Sequence, residues 1–454
     1  MTKIEKLKEQ LQDEGVEYFF GAYVDGLGVP KSKCVPLAHL EDAAAGSELY
    51  TVGALEAMGP LGPNEDECVG IPDLDTTTVL PWDRRYALAF TDLLLHGKPY
   101  DHCARTVLKR QIAAAGEMGF APMMGVEPEV YILRKSAEGR WQPFVEEDLL
   151  NGPTRGYDIE ATMLADSFLS PMVRHMDELG WDVYSFDHEG GHGQYEFDFK
   201  YCDMLGMADR MILFRLMSKH VARQLGCIAT YMPKPSSDAF GSGAHLNISL
   251  ADTESGRNAF EAPDRSATPG GRGYSEIAYQ FTAGVLKHAA AITAVVCPTV
   301  NSYKRLNPRG LMREMSWAPV YQAYGHNNRT LICRLPMNRK CLELRHADSA
   351  VNFHLGAAIT LAAGLQGIRD GLSPGDPVEI NTYDLSEAEL AKDGILRLPR
   401  TLGEAIEAFA GDELARETLG PAFHKTFADY KRAEWQEYCL IVGEWERERY
   451  MHLW

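Results

Sequence analysis

Four stretches of this chain set polar or charged residues two positions apart beside strand-forming apolar ones, the period of a half-buried β-strand. In the first, Gly125-Val-Glu-Pro-Glu-Val-Tyr-Ile-Leu133, the strand formers Val130, Tyr131, Ile132 and Leu133 follow Glu127 and Glu129. Positions two apart in a strand share a face, so both acids look onto one surface. In the second, Glu189 precedes a Gly190-Gly191 bend, and Glu196 and Asp198 alternate with Phe197 and Phe199. In the third, His245, Asn247 and Ser249 alternate with Leu246, Ile248 and Leu250; in the fourth, Glu343 and Arg345 alternate with Leu342 and Leu344. Solvated surface strands would account for one or two such patterns. Four in series, each with reactive groups opposite an apolar face, predict strands lining one polar cavity.

Around these strands the pattern predicts an α+β protein in two parts. Residues 1–100 read as a helix over about 3–14, strands through Tyr18–Asp25 and Lys31–Val35, and short strands at Thr77–Leu80 and Arg85–Leu93, together a small mixed sheet. Residues 101–454 open with a helix Asp101–Glu117, started by its aspartate, and continue with helices at about 160–179, 203–225, 274–295 and 352–371 outside the cavity strands. The Gly- and Pro-rich segment 261–274 reads as a loop.

Composition narrows the class. The chain has 454 residues, 45% hydrophobic and 10% aromatic, with a formal charge of −19. That length supports a sizeable core, and that charge argues against nucleic-acid binding. Nine cysteines, none in a Cys-x-x-Cys pair, fit a reduced, cytoplasmic setting without a thiolate zinc site. The start Met1-Thr-Lys-Ile-Glu-Lys-Leu7 lacks an apolar signal core, and the apolar stretches at 289–297 and 355–365 are too short for a membrane span.

Two like charges two residues apart raise each other's pKa unless a cation separates them. Five carboxylates and one imidazole form a hard, oxygen-rich donor set suited to Mg²⁺ or Mn²⁺. No Gly-x-x-x-x-Gly-Lys-Ser/Thr loop or dinucleotide fingerprint occurs, so nucleotide phosphates would be managed by metals and arginines.

The ordered motifs Gly-x-Glu-Pro-Glu129, His188-Glu189…Gln194-x-Glu196, Met232-Pro-Lys-Pro235, Gly241-Ser-Gly-x-His245, Asn301-Ser-Tyr-Lys-Arg305, Asn328-Arg329 and Glu343-x-Arg345 resemble those of the glutamine synthetases over nearly the whole chain. The resemblance implies a β-grasp N-terminal domain, a catalytic domain with an antiparallel sheet lining the cavity, and ATP as co-substrate. It implies one metal on Glu129, Glu189 and Glu196 and a second on Glu127, His245 and Glu343, the latter at the ATP phosphates. Arg305, Arg329 and Arg345 resemble the arginines for the glutamate carboxylate and the transferring phosphoryl group, and Arg334 one at the nucleotide. Gly241, Asn247 and Ser249 fall on the substrate and nucleotide side, Asn247 where many relatives carry histidine. Tyr383 resembles a tyrosine adenylylated in some bacterial synthetases, or is an ordinary loop residue. His188 and His192 read as packing groups. The implied assembly is a homo-dodecamer of two hexameric rings with active sites between subunits.

Two departures concern the amine. The family's ammonium-holding Asp-Gly-Ser-Ser segment is replaced by Tyr50-Thr-Val-Gly-Ala-Leu-Glu-Ala-Met58, where Glu56 either substitutes or is a surface residue. The family's short flap after Arg305 becomes the longer Asn307–Pro319 run, whose carboxylate Glu314 is the candidate general base. Met315 and Trp317 in that run suit an acceptor with an apolar end, and the Ser-Trp-Ala-Pro flap resembles the branch that includes glutamate–methylamine ligases. The expectation is an ATP-dependent ligase joining methylamine to glutamate through γ-glutamyl phosphate. Ammonia is the alternative acceptor, and a larger amine such as a polyamine a remoter one. An inert structural relative would have lost ligands or arginines; here they are all present.

Overall fold

The computed structural model describes residues 2–145, 156–264, 272–312 and 315–454. The chain begins with a helix, Lys3–Asp13, held at its start by a capping box between Thr2 and Glu5. Its Leu11 packs with Phe19, Leu37, Leu40, Ala87 and Ala89 against a mixed sheet. At the centre of that sheet Tyr18–Val24 runs parallel to Tyr86–Leu95, in register from Tyr18 opposite Tyr86 to Ala22 opposite Phe90, with antiparallel neighbours on both sides.

A second sheet follows, built on one 16-residue strand, Phe120–Lys135. Gln194–Phe199 and Ala244–Asp252 flank it antiparallel, and Leu342–Leu344 pairs beyond Ala244–Asp252. The expected antiparallel sheet is thus present where it lines the cavity. Farther out, Tyr321–His326 and Leu331–Leu335 run parallel. The alternation divides as predicted: Val126, Val130, Ile132, Phe197, Phe199, Leu246, Ile248, Leu342 and Leu344 all belong to the main apolar core. That core includes helix Phe353–Arg369, which is buried on nearly every face.

The expected helices differ from the observed ones in their ends and breaks. The 101–117 helix starts at Ala104, because the chain turns over Asp101 and His102, with Cys103 N–H donating to Tyr100 O at 3.0 Å. The 160–179 helix is two, Ile159–Leu164 and Asp166–Glu178, pivoting on the fully buried Ala165 so that Phe168, Leu169, Met172 and Met176 reach the core. The 274–295 helix breaks at His288, whose ring contacts Asp412 Oδ2 at 2.7 Å and Gln366 Oε1 at 2.6 Å on other elements.

The two sheets are joined by a buried charge network. Arg105 donates to Asp73 at 3.0 Å and Asp92 at 3.1 Å on the N-terminal side, and to Asp209 on helix Met204–Gln224 at 3.1 Å. His354 contacts the other Asp209 oxygen at 2.8 Å.

Candidate active site

Strand register brings the predicted acids together. Glu127 lies opposite His245, Glu129 opposite Glu196, and Glu343 opposite both Asn247 and Arg334. Glu127, Glu129, Glu189, Glu196, His245, Gly241, Arg305, Arg329 and Arg345 line one cavity of about 550 Å³.

Two ligand groups within it could each hold an ion: Glu127, His245 and Glu343, and Glu129, Glu196 and His245. His245 belongs to both because its two nitrogens face opposite ways. Nδ1 is the nitrogen on the side of the first group, 3.1 Å from the Glu127 carboxylate and 3.9 Å from that of Glu343. Burial, followed by the charge of Arg345, lowers the His245 pKa, so the neutral imidazole is favoured. Glu189 shares the cavity and raises the Glu129 pKa, but its carboxylate accepts from the Gly190 N–H at 3.0 Å and falls outside both groups.

The acids divide electrostatically. Burial raises Glu127, but the His245 contact and the cations Arg339 and Arg345 outweigh it and bring the carboxyl down to about 2. Burial of Glu343 is likewise overcome, chiefly by Arg345, and its pKa is lowered. Across the cavity, burial and the Glu189 charge push Glu129 up to about 8, and burial with Glu127 and Glu189 carries Glu196 well above the carboxylate range. The expected repulsion between Glu127 and Glu129 is thus not what shifts them: Glu129 is raised by burial and Glu189, and Glu127 is lowered by His245 and the arginines. On the Glu129 side the charges of Arg305 and Arg345 are outweighed by burial and Glu189, and the carboxylates and imidazole there are the donor set a hard divalent ion takes.

Supporting contacts fix these groups. Gln194 Nε2 donates to Glu129 Oε2 at 2.8 Å, and the Gly243 N–H to the same oxygen at 2.8 Å. Ser349 Oγ reaches both Glu129 O and Gly243 O at 2.7 Å, tying the two strands at the ligands. A Cβ at Gly243 would stand 2.8 Å from the Arg305 guanidinium, 2.9 Å from Glu129 Oε1 and 3.0 Å from His245 Nε2. Only glycine leaves that space open. Two motifs brace each other: Asn301 Oδ1 accepts from Lys234 N at 2.7 Å, and Asn301 Nδ2 donates to Lys234 O at 3.1 Å. This holds helix Ser302–Arg305, whose Arg305 donates to His346 O at 2.8 Å. Arg345 donates to Glu343 and to Arg329 O at 3.2 Å, and Arg334 to Glu343 at 2.7 Å.

A cavity of about 240 Å³ shares Glu127 with the first and is lined by Asn247, Ser249, Tyr184, Phe199, Tyr201 and Arg339. Arg339 was not singled out in the sequence, yet its guanidinium bridges Glu127 at 2.5 Å, Asn247 Oδ1 at 3.1 Å and Glu343 at 3.4 Å. The available signal was a basic residue four before Glu343. Gln194 was visible as the same-face neighbour of Glu196.

The amine-side expectations separate. Trp317 lines the main cavity, and Met315 lies beside it in an adjoining one. Glu314 lies outside the described residues. Glu56 does not line the cavity of its own chain; it is exposed and interacts with Tyr430. The Tyr383 hydroxyl is engaged, donating to Ala318 O at 2.8 Å. His188 packs edge-on against Tyr195 at 5.4 Å between ring centroids, and among the described residues neither it nor His192 joins a ligand group.

Residues 101–450 match the family model for the glutamine synthetase catalytic domain. The chain belongs to the glutamine synthetase family. Its curated relatives in that family include a glutamate–methylamine ligase of Methyloversatilis universalis, 37% identical over 97% of both chains. A glutamine synthetase of Rhizobium leguminosarum is 34% identical over 96% of this chain and 97% of its own. Solved structures described as a GmaS/ADP complex and as apo GmaS each superpose with a TM-score of 0.88 at 34% identity, over 98% of this chain and 99% of theirs.

Proposed function

We propose that this glutamine synthetase-family ligase condenses glutamate with methylamine at the expense of ATP, through γ-glutamyl phosphate. The observation that carries the reading is a cavity in which acids, an imidazole and three arginines converge beside an indole. Ions held by Glu129, Glu189 and Glu196, and by Glu127, His245 and Glu343, would neutralise phosphate oxygens. Arg305, Arg329 and Arg345 supply the planar forks that grip carboxylate and phosphoryl oxygens and hold reactants in line. Arg334 and Arg339, with Asn247 and Ser249, face the nucleotide. Glu314 is the proposed base for the amine proton, since a protonated amine has no lone pair with which to attack.

Methylamine is preferred in this reading for two reasons. Trp317 puts apolar surface on the cavity wall, and the relative named glutamate–methylamine ligase spans the full length. A methyl group gains roughly 0.8 kcal/mol from such contact, a severalfold preference. Ammonia is the second reading, favoured by the relatives named glutamine synthetase. Phosphate release from ATP and glutamate, compared by kcat/KM for methylamine, ethylamine and ammonia, tests both. A methylamine preference supports the first reading, an ammonia preference replaces it with the second, and no amine-dependent release overturns both.

Among the described residues no helix is long and apolar enough to cross a membrane, and a cytoplasmic setting is proposed. The dodecamer of two rings is proposed as well, supported by a C-terminal segment whose apolar side chains lack cover among the described residues: Leu440 is 82% exposed, Trp445 63% and Trp454 95%.

A further inference from the structure

Beside the catalytic cavity lies a second of about 480 Å³, lined by Met315, Trp317, His326, Asn327, Asn328, Arg329, Thr330, Glu379, Ile380, Asn381 and Tyr383. The two cavities have two lining residues in common, Trp317 and Arg329. They are therefore neighbours across a thin wall. Arg329 is the polar member of the pair, and its backbone carbonyl accepts from Arg345 at 3.2 Å. The apolar part of the wall is the Trp317 side chain.

Trp317 holds this position from an unfavourable backbone. Its φ is +56°, a region a bulky L-residue enters only when its surroundings impose it. The constraints sit on the residues either side. Before it, Ser316 N donates to Pro308 O at 2.7 Å and Ser316 Oγ donates to Asn307 O, closing the base of the flap. After it, Ala318 N donates to Ser316 Oγ at 3.3 Å, and Ala318 O accepts the Tyr383 hydroxyl at 2.8 Å. Tyr383 thus reaches the flap from another part of the chain, after the turn Thr382–Asp384 begins at Asn381.

We propose that Trp317, pinned by Tyr383 through the Ala318 carbonyl, limits the length of the acceptor amine by walling the catalytic cavity off from an alkyl-accommodating second cavity. A methyl group fits on the catalytic side of the indole. A propyl or butyl chain meets the ring and would need the space behind it, where Met315 and Ile380 offer apolar contact. Glu379 is engaged by His326 at 2.8 Å, and Asn328 Nδ2 by Val378 O and Ile380 O at 2.9 Å each. The groove's polar members are thus largely occupied, which suits an uncharged chain over a diamine. Tyr383 is a positioning residue here, acting on substrate choice through the flap.

This inference rests on the amine-ligase reading, and the experiment separates the two. Wild type, Trp317→Ala and Tyr383→Phe are assayed for phosphate release with methylamine and n-propylamine, with KM for glutamate and ATP measured alongside. The expected result is a methylamine-to-propylamine ratio of kcat/KM that falls at least about tenfold in Trp317→Ala and severalfold in Tyr383→Phe. The change should appear in the amine KM, with the glutamate and ATP KM values little altered. A third variant, Trp317→Ala with Ile380→Trp, refills the second cavity and should restore much of the ratio. A ratio unmoved in the single variants overturns the inference, as does a double variant that keeps the full propylamine gain. If Trp317→Ala is inactive, Tyr383→Phe decides: a shifted ratio supports the inference and an unshifted one overturns it. Absence of amine-dependent turnover in the wild type would defeat the ligase reading itself.

Discussion

Glu129 is the residue on which metal and pH dependence converge. Its carboxyl is pushed up to about 8 by burial and by Glu189, so the folded protein binds a proton there that the unfolded chain releases near 4.5. A group raised in the fold contributes stability fully below its unfolded pKa and loses it as pH rises through its folded one. With divalent ions chelated, stability should therefore fall between about pH 5 and pH 8. An ion takes the proton's place, so the Tm gain from Mg²⁺ or Mn²⁺ should be larger at about pH 8 than at about pH 6. Thermal melts with chelator or metal at both values check this, and a pH-independent gain would contradict it. Glu129→Ala and Glu343→Ala should each abolish phosphate release with the fold retained by circular dichroism. Arg345→Lys should also be severe, because an ammonium cannot hold both Glu343 and the Arg329 carbonyl as the planar guanidinium does. Near-normal turnover in either glutamate variant would sink the two-metal assignment. Arg339→Ala should raise the ATP KM by about tenfold, one lost charge-assisted contact, and an unchanged value would remove Arg339 from the nucleotide side. At this scale the sequence told which acids share a face, because a strand's period is fixed. It did not tell that Glu127 stays ionised while Glu129 does not. That division depends on which residue lies across the ladder and on an arginine from a loop.

Between elements, Arg105 is a buried tie from the N-terminal sheet to helix Met204–Gln224. It is 3% exposed and satisfies carboxylates from both sheets' surroundings. Removing one partner of a buried charge network leaves the others uncompensated, at a cost of about 3–5 kcal/mol. Arg105→Met should lower the denaturation midpoint accordingly, with urea titration as the measure; a loss under about 1 kcal/mol would place the network among surface pairs. Strands were legible here because each alternation is local. Helix ends were less so, since the break at His288 is set by Asp412 and Gln366, which no window around residue 288 contains.

For the whole molecule, the apolar C-terminal segment bears on assembly. Helix Glu444–Tyr450 has no buried residue within its own chain. Deleting residues 441–454 should reduce the particle to a smaller species by light scattering, and an unchanged mass would show that other surfaces hold the subunits. The family was readable from ordered motifs. The backbone around Trp317 was not, because the Ala318 carbonyl beside it is held by Tyr383, more than sixty residues downstream.

Glu127, Glu129, Glu196 and Glu343 stand on strands between Phe120 and Leu344, with Glu189 just past the end of Val183–His188, and Ser349 ties the first strand to Gly243. During synthesis the central strand must therefore wait, with Glu127 and Glu129 on one face, until more than two hundred further residues have left the ribosome. The catalytic centre is completed late, by Glu343 and Arg345. A chain ended before that point lacks Glu343 and Arg345, and so lacks the ligand group that Glu343 completes.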